Sequence, residues 1–167
     1  MPANFPRCIK SIVIADDGEA IECPEKALIA KDQEAALLNL SQNSLFAPVD
    51  DGGGPYDVRL SIEENRLIFR ITNAMGVELP ILVLSIKPYK RLIKDYYMIM
   101  RSYDDAIRDG KPSRIEAIDM GRRGLHNDAG ALLMERLGDK IELDLCTARR
   151  LFTLICVLHA GKAHILR

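Results

Sequence analysis

The stretch YDVRLSIEENRLIFRI, residues 56–71, constrains the fold more than any other part of the chain. Tyr56, Val58, Leu60 and Ile62 alternate with Asp57, Arg59, Ser61 and Glu63. Successive side chains of a strand point to opposite faces, so this pattern puts the apolar residues on one face and leaves the other to water. Glu64-Asn65 predicts a tight turn, since asparagine tolerates positive φ. A second strand follows over 66–72. After a turn at NAMG a third lies in VELPILVLSI, where Pro80 marks an edge position or a bulge. A three-stranded antiparallel meander results, and its apolar face needs a cover.

The rest of the chain supplies that cover. CIKSIVIADD predicts a strand over about residues 9–14, stopped by Asp16, Asp17 and Gly18. A helix runs from Pro24, whose fixed φ suits a first helical position, to about Gln42. FAPVDDGGGP reads as a loop. After the meander, Pro88 opens a helix whose stripe is Tyr89, Leu92, Ile93, Tyr96, Met100, Tyr103 and Ile107, ended by Gly110 and Pro112. Ser113 to Glu116 has the spacing of a capping box and opens the next helix. In the last helix Asp144 is the expected N-cap, Gly161 the expected stop, and Leu151 to Leu158 an almost wholly apolar run. The expected class is α+β: a small antiparallel sheet covered by helices, in one domain over 1–167. Its first part, 1–86, holds the strands and first helix, and 87–167 is helical.

Composition narrows the function. Hydrophobic residues make up 48% and charged residues 28%, which argues against wholesale disorder. Cys8, Cys23, Cys146 and Cys156 show no C-x-x-C spacing, so neither a zinc ribbon nor a thioredoxin-type motif is present, and no metal or cofactor is expected. No basic segment followed by an apolar run opens the chain, and LFTLICVLHA is too short to span a bilayer. A cytoplasmic protein without a membrane partner is the expectation. The net charge of −1 hides a division: residues 1–86 carry 7 Lys/Arg against 13 Asp/Glu, and residues 87–123 carry 10 against 6. A local basic excess attracts anions, though this one is small beside dedicated nucleic-acid binders.

The candidate site lies in IEAIDMGRRGLHNDAGALLMERL, residues 115–137. Ile115, Ile118, Leu125, Ala129, Leu132, Leu133 and Leu137 keep helical spacing, yet Gly121 and Gly124 interrupt it, each at a cost of about 1 kcal/mol against alanine. In one reading the glycines allow close packing or a kink, and Asn127 or Asp128 caps a second short helix. In the other they open a turn whose N–H groups face an anion, with Arg122, Arg123 and His126 supplying charge. TARRLF places Arg149 and Arg150 on the early turns of the last helix: Arg149 joins Arg122 or Arg123 if the helices pack together, and otherwise the two form a surface pair salt-bridged to Asp144 or Glu142. His126 with Asp128 suits acid–base chemistry on a phosphoester only if a turn lets them meet, because side chains two apart on a helix diverge.

Other motifs carry less. DDGGGP lacks the Lys-Ser/Thr ending of a phosphate loop and precedes a strand. Asp50 and Asp51 read as solvated. Cys146 lies two residues after the expected cap, where a thiol can be activated, but no partner base is assigned to it. Tyr96 and Tyr103 read as core, leaving Tyr97 exposed. His159 would meet free carbonyls in the last helical turn, and His164 belongs to the tail.

FAPV, GPY, LSIEENRLIF, KDYY, PSRIEAIDMGRRGLHNDAG and TARRLFTLICVLH together resemble the bacterial Uncharacterised Protein Family 0262 (UPF0262), from about residue 46 to His159. IEAIDMGRRGLHN is the most specific part. The resemblance implies a small cytoplasmic bacterial protein and carries over no catalytic residue. In that family the position of Cys146 is often acidic, which argues against a thiol chemistry common to it.

Three classes follow, in order. The first is a non-enzymatic module binding a phosphate-bearing partner, a nucleotide or RNA, through Gly121, Arg122, Arg123, Gly124, His126 and Arg149. The second is a protein-interaction or homo-oligomeric regulator. The third is a small phosphoester-acting enzyme using His126 and Asp128.

Overall fold

A computed structural model of the protein describes residues 5–15 and 23–163, with side chains as far as residue 159. The chain begins with β1 (Ile9–Ile14), α1 (Lys26–Gln42), β2 (Phe46–Pro48), β3 (Tyr56–Glu63) and β4 (Arg66–Thr72). It continues through β5 (Leu82–Ser85), a 3₁₀ turn at Lys87–Tyr89, α2 (Lys90–Asp109), α3 (Pro112–Leu137), β6 (Ile141–Leu143) and α4 (Leu145–Ala163). Asp16, Asp17, Gly18 and His164 lie outside the described residues.

The hairpin forms as the alternation requires. Glu64 and Asn65 take φ of 51° and 63°, and Leu60 faces Phe69 across the β3–β4 ladder. The sheet, however, has four strands in the order β1-β3-β4-β5 and is mixed, because β1 lies parallel to β3. The chain between them crosses over through α1, the connection a parallel pair needs. The third meander strand shrinks to Leu82–Ser85, preceded by an isolated bridge between Thr72 and Glu78. Pro80 stands between the two and has no N–H to give a ladder. Part of the expected loop is also a strand: Phe46–Pro48 pairs antiparallel with Ile141–Leu143. Three-residue strands are too short to show periodicity.

Tyr56, Val58, Leu60 and Ile62 of β3 join Leu67, Phe69 and Ile71 of β4 in the core. α1 packs against β1 and α4, while α4 packs against β3 and α3. α4 is the central buried helix, with Leu151, Phe152, Leu154 and Ile155 inaccessible to solvent. It runs through Gly161 rather than stopping there. Tyr89 in the 3₁₀ turn and Ile93, Tyr96 and Met100 in α2 are buried as the stripe requires, but in the last turns of α2 Ala106 is buried and Ile107 exposed. Ser113 caps nothing. The residue before the helix is Lys111, and Pro112 takes the first helical position, so Ser113 falls inside the first turn. Asp144 does cap α4, its Oδ1 accepting the Thr147 N–H at 2.8 Å.

Candidate functional site

Gly121 and Gly124 neither break α3 nor pack it. The helix is continuous from Pro112 to Leu137, so there is no turn to expose N–H groups and no second helix for Asn127 or Asp128 to cap. A Cβ added at either glycine would meet nothing within 4 Å, so close packing does not explain them. Asp128 is exposed and two residues from buried His126 on one helix, and the acid–base pair does not form. The close approach occurs at Gly130. A Cβ there would lie 3.0 Å from Leu145 Cδ1 and 3.1 Å from Arg149 Cγ. Absence of a side chain at Gly130 is what lets α4 lie against α3.

That packing brings two matched stripes together. On α3, Asp119, Arg122, Arg123 and His126 stand at i, i+3, i+4 and i+7, which is one helical face. On α4, Cys146, Arg149, Arg150 and Thr153 repeat the spacing. All eight line one cleft of about 310 Å³. Of the residues singled out in the sequence, Arg122, Arg123, His126 and Arg149 meet here; Gly121 and Gly124 do not line the cleft. Thr153 and Asp119 are not singled out by the sequence, and Arg150 enters only as a surface partner of Asp144 or Glu142, although DMGRRGLH and CTARRLFT carry the arginine pair at the same offset.

His126 forms the floor. Its Nδ1 lies 2.9 Å from the Arg122 carbonyl and its Nε2 lies 3.1 Å from the Thr153 hydroxyl. A carbonyl only accepts, so Nδ1 carries the proton of the neutral ring and Nε2 accepts from Thr153. The ring meets Tyr96 and Phe152 edge-on, at centroid distances of 5.8 and 5.6 Å. Burial lowers its pKa below the ordinary 6.5, and nearby Arg122 and Arg149 push the same way against the Arg122 carbonyl and Asp32. Both ring nitrogens are therefore engaged inside the protein.

The arginines differ in how they are held. Arg122 forms an ion pair with Asp32 of α1, whose other carboxylate oxygen accepts the Tyr96 hydroxyl at 2.6 Å. Arg150 donates to the Cys146 carbonyl at 3.3 Å. Arg149 makes no pair with Asp144 or Glu142: Asp144 is occupied as the cap, and Glu142 pairs with Arg7. Its Nε is buried without a hydrogen-bond partner. Among the described residues Arg123, Arg149 and Arg150 have no carboxylate partner within ion-pair distance, so three of the four positive charges in the cleft are unbalanced save by Asp119. Cys146 is exposed at the same cleft and is a free thiol.

Two further sequence assignments change. Tyr97 is half-buried rather than exposed, because its hydroxyl donates to the Cys156 carbonyl at 2.6 Å, and burial raises its pKa. Among the described residues His159 finds no carbonyl: its Nε2 is buried and unpartnered, and burial, with help from Lys90, lowers its pKa. Among the described residues no three His, Cys, Asp or Glu side chains gather as a metal site, and no helix is long and apolar enough to cross a membrane.

Comparison with known proteins gives one family. The model of the uncharacterised protein family UPF0262 matches residues 8–161. A UPF0262 protein of Mesorhizobium japonicum is 51% identical over 132 residues, which is 78% of this chain and 82% of the relative. One from Caulobacter vibrioides is 51% identical over 147 residues, covering 84% and 91%. One from Rhizobium leguminosarum is 44% identical over 147 residues, covering 88% and 92%. No solved structure matches the chain.

Proposed function

The chain belongs to the uncharacterised protein family UPF0262, and from that premise we propose that it is a non-enzymatic module binding a phosphate-bearing ligand, a nucleotide or RNA, in the α3/α4 cleft. One observation carries the reading: four arginines and a single aspartate converge on a cavity of about 310 Å³. Guanidinium groups match phosphate oxygens with parallel N–H donors, and unlike lysine they keep their charge when partly desolvated. The buried, unpartnered Nε of Arg149 favours an acceptor nearby. The volume lies at the small end of ligand pockets, which run from about 300 to 1,000 Å³. Binding is preferred to catalysis because His126, the one histidine of the cleft, spends both nitrogens on Arg122 and Thr153.

The test is fluorescence anisotropy with inorganic phosphate, nucleotides and short RNA at two salt concentrations. The comparison protein is Arg123→Ala/Arg150→Ala, since Arg122→Ala would strand Asp32. Affinity that weakens with salt and is lost in the variant supports the reading, because phosphate contacts release counterions. Absence of binding by the wild-type protein refutes it.

A second reading, a homo-oligomeric regulator, rests on one feature. The outer face of α3 exposes Met120, 68% accessible, beside Gly121 and Gly124, a surface open enough for another helix to approach. Sedimentation equilibrium decides it: a mass of one chain at all concentrations excludes it.

A further inference from the structure

Building on the phosphate-binding reading, we infer that the cleft holds two phosphoryl groups of one ligand at once, one at each of two arginine clamps on either side of the His126–Thr153 contact. The direction of the helices fixes this arrangement. His126 meets Thr153, and four residues later on α3 Gly130 meets Arg149 and Leu145, which come earlier on α4. The helices are therefore antiparallel. Arg122 and Arg123 precede His126 on α3, so they lie to one side of that contact. Arg149 and Arg150 precede Thr153 on a helix running the other way, so they lie to the opposite side. Each pair is three to four residues from the pivot, and at 1.5 Å per residue the backbones of the two pairs are about 10 Å apart along the groove. Helical side chains lean toward their own N-terminus, which carries the two pairs further apart.

A single phosphate at one clamp would leave unopposed, across the pivot, the guanidinium charge of the other clamp that has no carboxylate partner among the described residues: Arg123 on α3, or Arg149 and Arg150 on α4. A chain with phosphoryl groups roughly 10 Å or more apart meets both. The floor between the clamps suits the middle of such a chain. It presents no free cation: His126 is neutral and hydrogen-bonded, and Thr153 supplies its hydroxyl to the ring. The clamps are not equivalent. In the α3 pair Arg122 is anchored by Asp32, leaving the exposed Arg123 without a carboxylate partner among the described residues. In the α4 pair Arg149 is packed beneath Gly130, leaving Arg150.

The required chemistry, two phosphoryl groups joined by a short spacer, is met by a short RNA or by a small bisphosphate. The experiment compares a nucleoside monophosphate, the 5′,3′-phosphorylated dinucleotide pNpNp and hexane-1,6-diol bisphosphate, each on wild-type, Arg123→Ala and Arg150→Ala proteins of verified fold. Expected is binding of one or both two-ended ligands at least about tenfold tighter than the monophosphate, as a second linked contact allows. Either single substitution should remove that advantage, bringing the two-ended ligands to within about twofold of the monophosphate on the same variant. A dinucleotide preferred over the diol bisphosphate assigns RNA-like ligands, and equal affinities assign a bare bisphosphate. Equal binding of one- and two-ended ligands overturns the two-clamp inference and leaves the phosphate site standing. No binding of any of them removes both.

Discussion

The glycines of α3 allow a sharp test of the helix itself. Gly121→Ala/Gly124→Ala places two methyl groups on an exposed face where neither meets an atom within 4 Å. Alanine is favoured over glycine in a helix interior by about 0.8–1.0 kcal/mol, mostly because the unfolded chain loses less freedom. With no steric cost to offset it, the pair should add about 2 kcal/mol. For a chain of this size 1 kcal/mol moves Tm by roughly 2–4 °C, so the double variant should melt about 4–8 °C higher.

Gly130→Ala provides the control of opposite sign. Its Cβ would press on Leu145 and the Arg149 side chain, which can rotate, and would lie 3.3 Å from the Arg149 backbone nitrogen, which cannot. Overpacking costs about 1–3 kcal/mol, so after the same propensity gain the variant should be less stable by up to about 2 kcal/mol. Calorimetry and urea denaturation measure both. Phosphate-ligand affinity, where it exists, should survive the 121/124 pair, because neither glycine lines the cleft. A Tm unchanged or lowered by Gly121→Ala/Gly124→Ala would refute the continuous-helix account and return those residues to a turn or a covered interface.

Other outcomes follow from the same contacts. Burial keeps His126 and His159 neutral, so the unfolded chain binds more protons: stability is full above about 6.5 and declines as pH falls below it. Tm should drop between pH 7 and 5, more gently in His126→Gln, and an unchanged slope in that variant would sink the assignment. Asp32→Ala strands Arg122 and the Tyr96 hydroxyl, with an expected loss of about 1–3 kcal/mol. Adding Arg122→Ala should cost less than the sum of the singles, and strict additivity in urea melts would contradict the coupling. Asp144→Ala removes the cap of α4 and should cost about 1 kcal/mol. Ser113→Ala should stay within about 0.5 kcal/mol, because that serine caps nothing.

What was legible in the sequence depended on how local the cause was. The β3–β4 hairpin was readable because alternation over eight residues and an Asn turn act within one short segment. The cap at Asp144 was readable for the same reason. The parallel placing of β1 was not, since it is decided by how α1 returns the chain to β3. The pairing of Phe46–Pro48 with Ile141–Leu143 joins segments nearly a hundred residues apart, and neither is long enough to announce a strand. Ser113 had the right spacing for a cap but lost to Pro112, whose fixed φ already occupies the first helical position.

At the cleft, the same distinction explains how four of the residues that line it are singled out by the sequence for a cause the structure does not bear out. The two glycines around Arg122 and Arg123 drew attention to that segment, yet they face open space and contribute nothing to the cleft. What assembles Arg122, Arg123, His126 and Arg149 is a different glycine, Gly130, against which Leu145 and Arg149 of α4 pack. A helix at full spacing already puts 119, 122, 123 and 126 on one face, so no turn was needed to gather charge there. Repetition of that spacing at 146, 149, 150 and 153 was visible in the sequence, but its meaning required knowing that the two faces meet. The antiparallel contact of His126 with Thr153 is the fact that turns two ordinary arginine pairs into opposite ends of one groove.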